Sequence, residues 1–203
     1  MPRSCDVFVL RHGESSANSA GELVGRRDPP LTERGRSQVV EAAAYLRSLE
    51  KGALRVVSSP LSRARETAAA LGTPFVCDDR LVELDYGDLE GRSFGDLLAS
   101  WPPAWITDPE VVVPGGESVA AMASRVFEAV GEHGAAADAA GAALVVVTHL
   151  GPTKALVGLA TGDLAGAQSR VHVSQASITR LRLHLDGPGL SATLVALNLV
   201  EPG

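Results

Sequence analysis

Cysteine is nearly absent. Cys5 and Cys77 are the only two in 203 residues, with no Cys-x-x-Cys pair and no Cys/His cluster. A disulfide framework and a structural zinc site are therefore not expected, and the setting expected is reducing and cytoplasmic. Both thiols read as small buried apolar side chains. Long hydrophobic runs are missing too. Nothing approaches the roughly 20 apolar residues that cross a bilayer, and Met-Pro-Arg-Ser-Cys-Asp carries no apolar segment before Val7, so neither secretion nor membrane insertion is expected. Basic blocks are lacking as well. The 18 Lys and Arg are scattered among 24 Asp and Glu, for a net charge of −6, which leaves no footprint for a nucleic acid or an anionic membrane. A small anionic ligand in a local pocket stays open.

What is present is 45% hydrophobic and 21% charged residues, enough to bury a core in a single domain spanning residues 1–203. Three short apolar runs, Val7-Phe8-Val9-Leu10, Arg55-Val56-Val57-Ser58 and Leu144-Val145-Val146-Val147, fit strands buried on both faces of a parallel sheet. Between them the apolar spacing predicts helices over Glu33 to Leu49, Leu61 to Leu71 and Ser118 to about Glu132, with Thr32 and Ser118 at N-cap positions. Gly131 to Ala143 reads as a weaker helix tail or turn. Ser177 to Leu185 and Leu190 to Asn198 alternate around Asp186-Gly187-Pro188-Gly189, the pattern of a hairpin at a sheet edge. The fold class expected is α/β, a mostly parallel central sheet with helices on both faces and a C-terminal edge hairpin. That hairpin leaves room for a homodimer. Gly13 to Leu31 and Trp101 to Gly116 read as long irregular segments.

Ligands bind such sheets at the carboxyl ends of the strands. Arg11-His12-Gly13-Glu14-Ser15 follows the first buried run and Thr148-His149 ends the third, while Ser58-Ser59-Pro60-Leu61-Ser62-Arg63-Ala64-Arg65 follows the second. Histidines and arginines thus converge on one rim. Guanidinium forks match phosphate oxygens in pairs, and a neutral imidazole can attack phosphorus. Departure of an alkoxide needs a proton, which Glu83 is assigned to supply before it activates water. Asp85, Asp88 and Glu90 are its rivals on chemistry alone.

These residues, with Asn18, Leu31-Thr32-Glu33-Arg34-Gly35, Thr67-Ala68, Gly87-Asp88-Leu89-Glu90-Gly91 and Gly115-Gly116-Glu117-Ser118, resemble the histidine phosphatase superfamily in its phosphoglycerate-mutase-like branch. The series runs from residue 5 to residue 150. The resemblance implies a three-layer α/β sandwich and a ping-pong reaction with neither cofactor nor metal. It implies His12 as the phosphorylated nucleophile, Arg11, Arg63, His149 and Asn18 as phosphate ligands, and Glu83 as proton donor. Relatives often carry glycine directly after the second histidine. Here Leu150-Gly151-Pro152-Thr153-Lys154 follows, and a backbone N–H of Leu150 or Gly151 at the next helix start is the expected donor to phosphate.

Other residues take plainer readings. Arg65 suits a helix-bracing role better than Arg63, and His133, His172 and His184 read as structural or surface groups. Trp101 and Trp105 either line a substrate entrance or simply pack. Between Glu83 and Glu117 the one basic residue is Arg92, among Phe94, Leu97, Leu98, Trp101, Trp105, Ile106 and Val111-Val112-Val113. Such a cap suits a partly apolar or sugar-like phosphate ester. The expected activity is metal-independent hydrolysis of a small phosphorylated metabolite, an α-ribazole phosphate or a sugar or glycosyl-glycerate phosphate among the options. Arg26 and Arg27 keep a bisphosphoglycerate-dependent mutase open, and an inactive phospho-ligand binder is the reading from another class.

Overall fold

The computed structural model describes residues 3–100 and 104–200. Six strands, β1 (Ser4–Arg11), β2 (Leu54–Ser58), β3 (Phe75–Cys77), β4 (Ala143–Thr148), β5 (Ile178–His184) and β6 (Ser191–Leu199), form one sheet in the order β3-β2-β4-β1-β5-β6. The first four are parallel, and β5 and β6 close the far edge as an antiparallel hairpin. Helices are α1 (Ser16–Ala20), α2 (Glu33–Leu49), α3 (Ser62–Ala69), α4 (Phe94–Ser100), α5 (Ala104–Thr107), α6 (Val119–Ala139), α7 (Leu150–Thr161) and α8 (Leu164–Arg170).

The apolar runs make this a three-layer structure because consecutive strand side chains point to opposite faces. On β1 and β4, Val7, Val9, Leu144 and Val146 join one core with Met122, Val126 and Val130 of α6 and Leu156 of α7. Phe8, Leu10, Val145 and Val147 join the other with Val39, Ala43 and Leu46 of α2 and Ala64 and Ala68 of α3. Fully burying each such side chain contributes about 1.5–3 kcal/mol. Both expected N-caps form: Thr32 Oγ1 accepts from Gly35 N and Ser118 Oγ from Ala121 N.

Of the two readings of Gly131 to Ala143 the helix tail holds, as far as Ala139, because alanine is the strongest helix former and Val130, His133 and Ala137 are buried. Strand β3, for which there is no sequence expectation, has three residues, too few to show a period. Two expectations need correction. The segments expected to be irregular contain α1 and α5. Cys77 is exposed while Cys5 is buried, since β3 is an edge strand and β1 lies inside the sheet. Among the described residues no helix is long and apolar enough to cross a membrane.

The sheet order places the site. Strands β2, β4 and β1 are neighbours, with Leu10 and Ser58 both registered on Val147, so their carboxyl ends emerge side by side. The next residues stay tied to the sheet: His12 N donates to Thr148 O at 3.0 Å and Ser59 N to Val147 O at 2.9 Å.

Candidate active site

His12 leaves β1 in a loop pressed against the start of α2. A Cβ on Gly13 would lie 2.5 Å from Gly35 O, and one on Gly35 would lie 2.1 Å from Glu14 O, so only glycine permits this approach at either position. Glu14 is a structural partner here. Its Oε1 accepts from Thr32 Oγ1 at 2.8 Å and its backbone N donates to Gln38 Oε1 at 2.9 Å. His12 Nδ1 lies 2.7 Å from Gly13 O. A carbonyl only accepts, so Nδ1 carries the proton and Nε2 presents its lone pair.

His149 ends β4 with its ring centroid 5.1 Å from that of His12, edge to face. Its Nε2 lies 2.7 Å from Ser59 Oγ, and its buried Nδ1 has no partner. Ser59 Oγ already accepts from Leu61 N. A hydroxyl can donate to or accept from His149 Nε2, so this contact fixes the orientation of the ring rather than its tautomer. Arg11, at the end of β1, donates from Nη1 to Val173 O, while its buried Nε has no partner. Arg63 in α3 is 2% exposed and donates to Arg27 O at 2.9 Å and Gly25 O at 3.0 Å. Arg65 is exposed, as expected for a helix-surface residue.

Glu83 is 5% exposed. Its Oε1 accepts from Leu84 N at 2.8 Å, and Gly151 N reaches both oxygens at 3.1 and 3.2 Å. A Cβ on Gly151 would lie 2.4 Å from Glu83 Oε1, so glycine is what lets the start of α7 hold the carboxyl. In this structure the Gly151 N–H serves Glu83 rather than facing an open anion site. Leu150 is the first residue of α7, with His149 as its N-cap. Asn18 is bonded to its own helix start. Its Oδ1 accepts from Ser15 N and Oγ, closing a capping box on α1. The rivals to Glu83 are occupied or exposed. Glu90 accepts the N–H groups of Gly25, Arg26 and Arg27, Asp85 accepts from Gly87 N, and Asp88 is exposed.

Burial sets the protonation states. It lowers the pKa of His12 well below 6.5, with Arg63 and Arg11 adding to the effect and the Gly13 carbonyl opposing it. His149 is lowered likewise by burial, then by Arg63, His12 and Arg11. Burial raises Glu83, against the Leu84 and Gly151 N–H groups and the two arginines. The site thus holds two neutral imidazoles, a carboxyl biased toward its protonated form and two guanidiniums. Arg11 and Arg63 act electrostatically on His12, His149 and Glu83 alike. Among the described residues no group of three or more His, Cys, Asp and Glu side chains is arranged to hold a metal.

Beside Glu83 a cavity of about 80 Å³ is lined by Leu84, Phe94, Ile106, Leu150, Gly151 and Lys154, among others. Lys154 Nζ donates to Gln168 O at 2.8 Å. Of the expected cap residues, Leu97 and Val113 are core, 1% exposed each. Trp101 and the Trp105 side chain lie outside the described residues. His133 pairs with Asp78 at 3.0 Å, while His172 and His184 are exposed. The sequence reading gave no role to Ser59, Thr67, Glu117 or Arg125. The first three sit inside its quoted motifs. Thr67 Oγ1 accepts from Gly13 N and donates to Arg63 O, bridging two motifs.

The model of the histidine phosphatase superfamily (branch 1) matches residues 7–195. The probable phosphoglycerate mutase GpmB of Erwinia tasmaniensis is 33% identical over 194 residues, covering 92% of this chain and 88% of that protein. The bifunctional protein Rv2228c of Mycobacterium tuberculosis is 36% identical over 188 residues, covering 89% of this chain but 51% of its own length. The chain therefore spans about half the length of the first curated relatives it matches. Among solved structures, the mycobacterial glucosyl-3-phosphoglycerate phosphatase Rv2419c in complex with VO3 superposes with a TM-score of 0.85 at 31% identity, over 96% of this chain and 99% of that one. With the family pattern extending over nearly its whole length and the family's fold around it, this chain belongs to branch 1 of the histidine phosphatase superfamily.

Proposed function

We propose that this protein is a metal-independent phosphomonoesterase that hydrolyses a small phosphorylated metabolite through a phosphohistidine on His12. The observation that carries the reading is the His12 ring: its Nδ1–H is tied to Gly13 O, its pKa is held low by burial and two arginines, and its Nε2 lone pair is left to attack. In the first half-reaction Nε2 bonds to phosphorus while the ester P–O bond breaks, and Glu83 gives its proton to the departing oxygen. In the second, carboxylate Glu83 takes a proton from water. The resulting hydroxide bonds to phosphorus, the P–N bond breaks and its electron pair returns to Nε2. Arg11, Arg63 and His149 stabilise charge on the three equatorial oxygens, the largest contribution expected in such a site. Asn18 and a backbone N–H at Leu150 complete the proposed phosphate contacts. Gly151 acts through Glu83.

The cavity beside Glu83 suits a partly apolar alcohol with one anionic or hydroxyl group directed at Lys154. The likeness to a solved glucosyl-3-phosphoglycerate phosphatase supports hydrolysis of an organic phosphate. Arg26 and Arg27 argue against a mutase. Arg26 pairs with Glu117 at 3.3 Å and faces Asp85, and Arg27 pairs with Glu22 at 3.5 Å, so neither offers a free charge to a second phosphate.

The test is phosphate release in excess EDTA from a panel of alkyl, sugar, glycerate and aromatic phosphates, with His12→Ala as the blank. EDTA-resistant release that the variant loses is the expected result. Isomerisation of phosphoglycerate with a bisphosphoglycerate primer, without hydrolysis, would replace the reading by a mutase. Silence in both assays would replace it by a phospho-ligand binder.

A further inference from the structure

Arg125 lies on α6, and its hydrogen bonds go to neither imidazole, although its charge adds to the lowering of the His149 pKa. Every N–H of its guanidinium is nevertheless used. Nη1 donates to Arg80 O at 2.7 Å and to Val82 O at 2.8 Å, and Nη2 donates to Glu83 O at 3.0 Å. The remaining donors, on Nε and Nη2, go to the two oxygens of Glu117. Glu117 in turn ties the next peptide down, since its Oε1 accepts from Asp85 N and its backbone N donates to Asp85 O, each at 3.0 Å. One ion pair thus grips the main chain on both sides of Glu83. Backbone carbonyls in a segment without regular secondary structure need donors when buried, and a rigid planar fork supplies several from one point.

Resting on the hydrolytic reading above, we infer that Arg125, held by Glu117, is the positioning residue that fixes the backbone of residues 80–83 and so aims the Glu83 carboxyl at the leaving oxygen. The carboxyl itself accepts from the backbone N–H groups of Leu84 and Gly151. A shift of the main chain beneath it would therefore carry it away from the substrate. Such a shift weakens both proton transfers by Glu83, and the first, to the leaving oxygen, is the one that depends on the alcohol. Attack by His12 on an ester with a good leaving group needs no proton from Glu83, whereas departure of an alkoxide does.

The experiment compares an alkyl phosphate with an aryl phosphate in wild type, Arg125→Met, Arg125→Lys, Glu117→Gln and Glu83→Gln. Displacement of a proton donor by about 1 Å costs on the order of 100-fold. Arg125→Met is expected to lose about that factor in kcat/KM, which reads the first half-reaction, on the alkyl ester and less than about threefold on the aryl ester. Arg125→Lys keeps the charge without the fork and is expected to resemble Arg125→Met, with Glu117→Gln intermediate. Adding Arg125→Met to Glu83→Gln is expected to cost nothing further on the alkyl ester, because both act through the same carboxyl. Equal losses on the two esters, or additive losses in the double variant, would overturn the inference and leave Arg125 a general stabiliser. An Arg125→Met protein that fails to fold while Arg125→Lys keeps the wild-type ester ratio would overturn it as well. Failure of the hydrolytic reading itself looks different, since wild type would then release phosphate from neither ester.

Discussion

Two pairs of arginines lie near the same loop, and they differ in what they are bonded to. Arg11 and Arg63 are 7% and 2% exposed and give their hydrogen bonds to backbone carbonyls. Arg26 and Arg27 are exposed and are paired with carboxylates. A carbonyl orients a guanidinium without cancelling its charge, whereas a carboxylate cancels it. Among the described residues the carboxylate paired with Arg63 is Asp28 at 3.6 Å, half-exposed and already held by Ser62, while Glu83 and Glu90 act on it without forming an ion pair. The sheet-end pair therefore keeps its positive charge for an arriving phosphate, and the loop pair has little to offer. Burial deepens the contrast, because exposed ion pairs are screened and weak while charge in a dry site acts strongly.

The sharpest way to break this comparison is Arg63→Met, which is expected to lower kcat/KM about 10³-fold, the scale at which an arginine stabilises a transferring phosphoryl group. A loss below about tenfold would mean that Arg63 is a bracket for the Gly25 to Arg27 loop and not a phosphate ligand. Next in size is Glu83→Gln, expected to cost about 10²-fold or more in kcat/KM on alkyl phosphates and little on aryl ones, while kcat falls on both as water activation slows. Its pH signature has a definite sign. His12 must be neutral to attack, and its lowered pKa keeps it so as pH falls through 6.5. Glu83 must be protonated, and burial lifts its pKa above 4.5, so the rate falls as pH rises through that raised value. The kcat/KM profile on an alkyl phosphate should be bell-shaped, and its alkaline limb should vanish in Glu83→Gln. An unchanged limb would assign it to another group.

Smaller effects test the cap. Phe94→Ala is expected to reduce the preference for a benzyl over a methyl phosphate by about tenfold, the usual scale for apolar complementarity. No change would mean that the alcohol does not enter the cavity beside Glu83. Smallest of all, Arg27→Met is expected to change kcat/KM less than about threefold with any monophosphate. A loss like that of Arg63→Met would erase the distinction between the two pairs.

The sheet and most of its layers were legible because β1, β2 and β4 are buried on both faces, which produces continuous apolar runs. Strand β3 and helices α1 and α5 were not, being three to five residues long, too short for a periodic signal. At the site, His12 and His149 could be read because each follows such a run directly. Glu83 could not be separated from Asp85, Asp88 and Glu90 by chemistry. The structure separates them by environment, since Glu83 is the buried one and the others are engaged elsewhere or exposed. Asn18 and Gly151 illustrate the reverse difficulty. The family resemblance pointed to Asn18 and the helix start after His149 to Gly151, and neither showed that Asn18 Oδ1 caps α1 or that the Gly151 N–H holds Glu83. Arg125 carried no signal at all, because a lone arginine on an amphipathic helix reads as surface until its hydrogen bonds to main-chain carbonyls are seen.

The central claim is that His12 carries the phosphoryl group between two half-reactions. It is tested most directly by rapid quenching during turnover of an aryl phosphate, followed by peptide mass spectrometry under non-acidic conditions. The account predicts an acid-labile phosphoryl adduct on the peptide containing His12, accumulating in Glu83→Gln, where water activation is slowed, and absent in His12→Ala. Steady hydrolysis with no adduct on that peptide, or an adduct that survives His12→Ala, would contradict it.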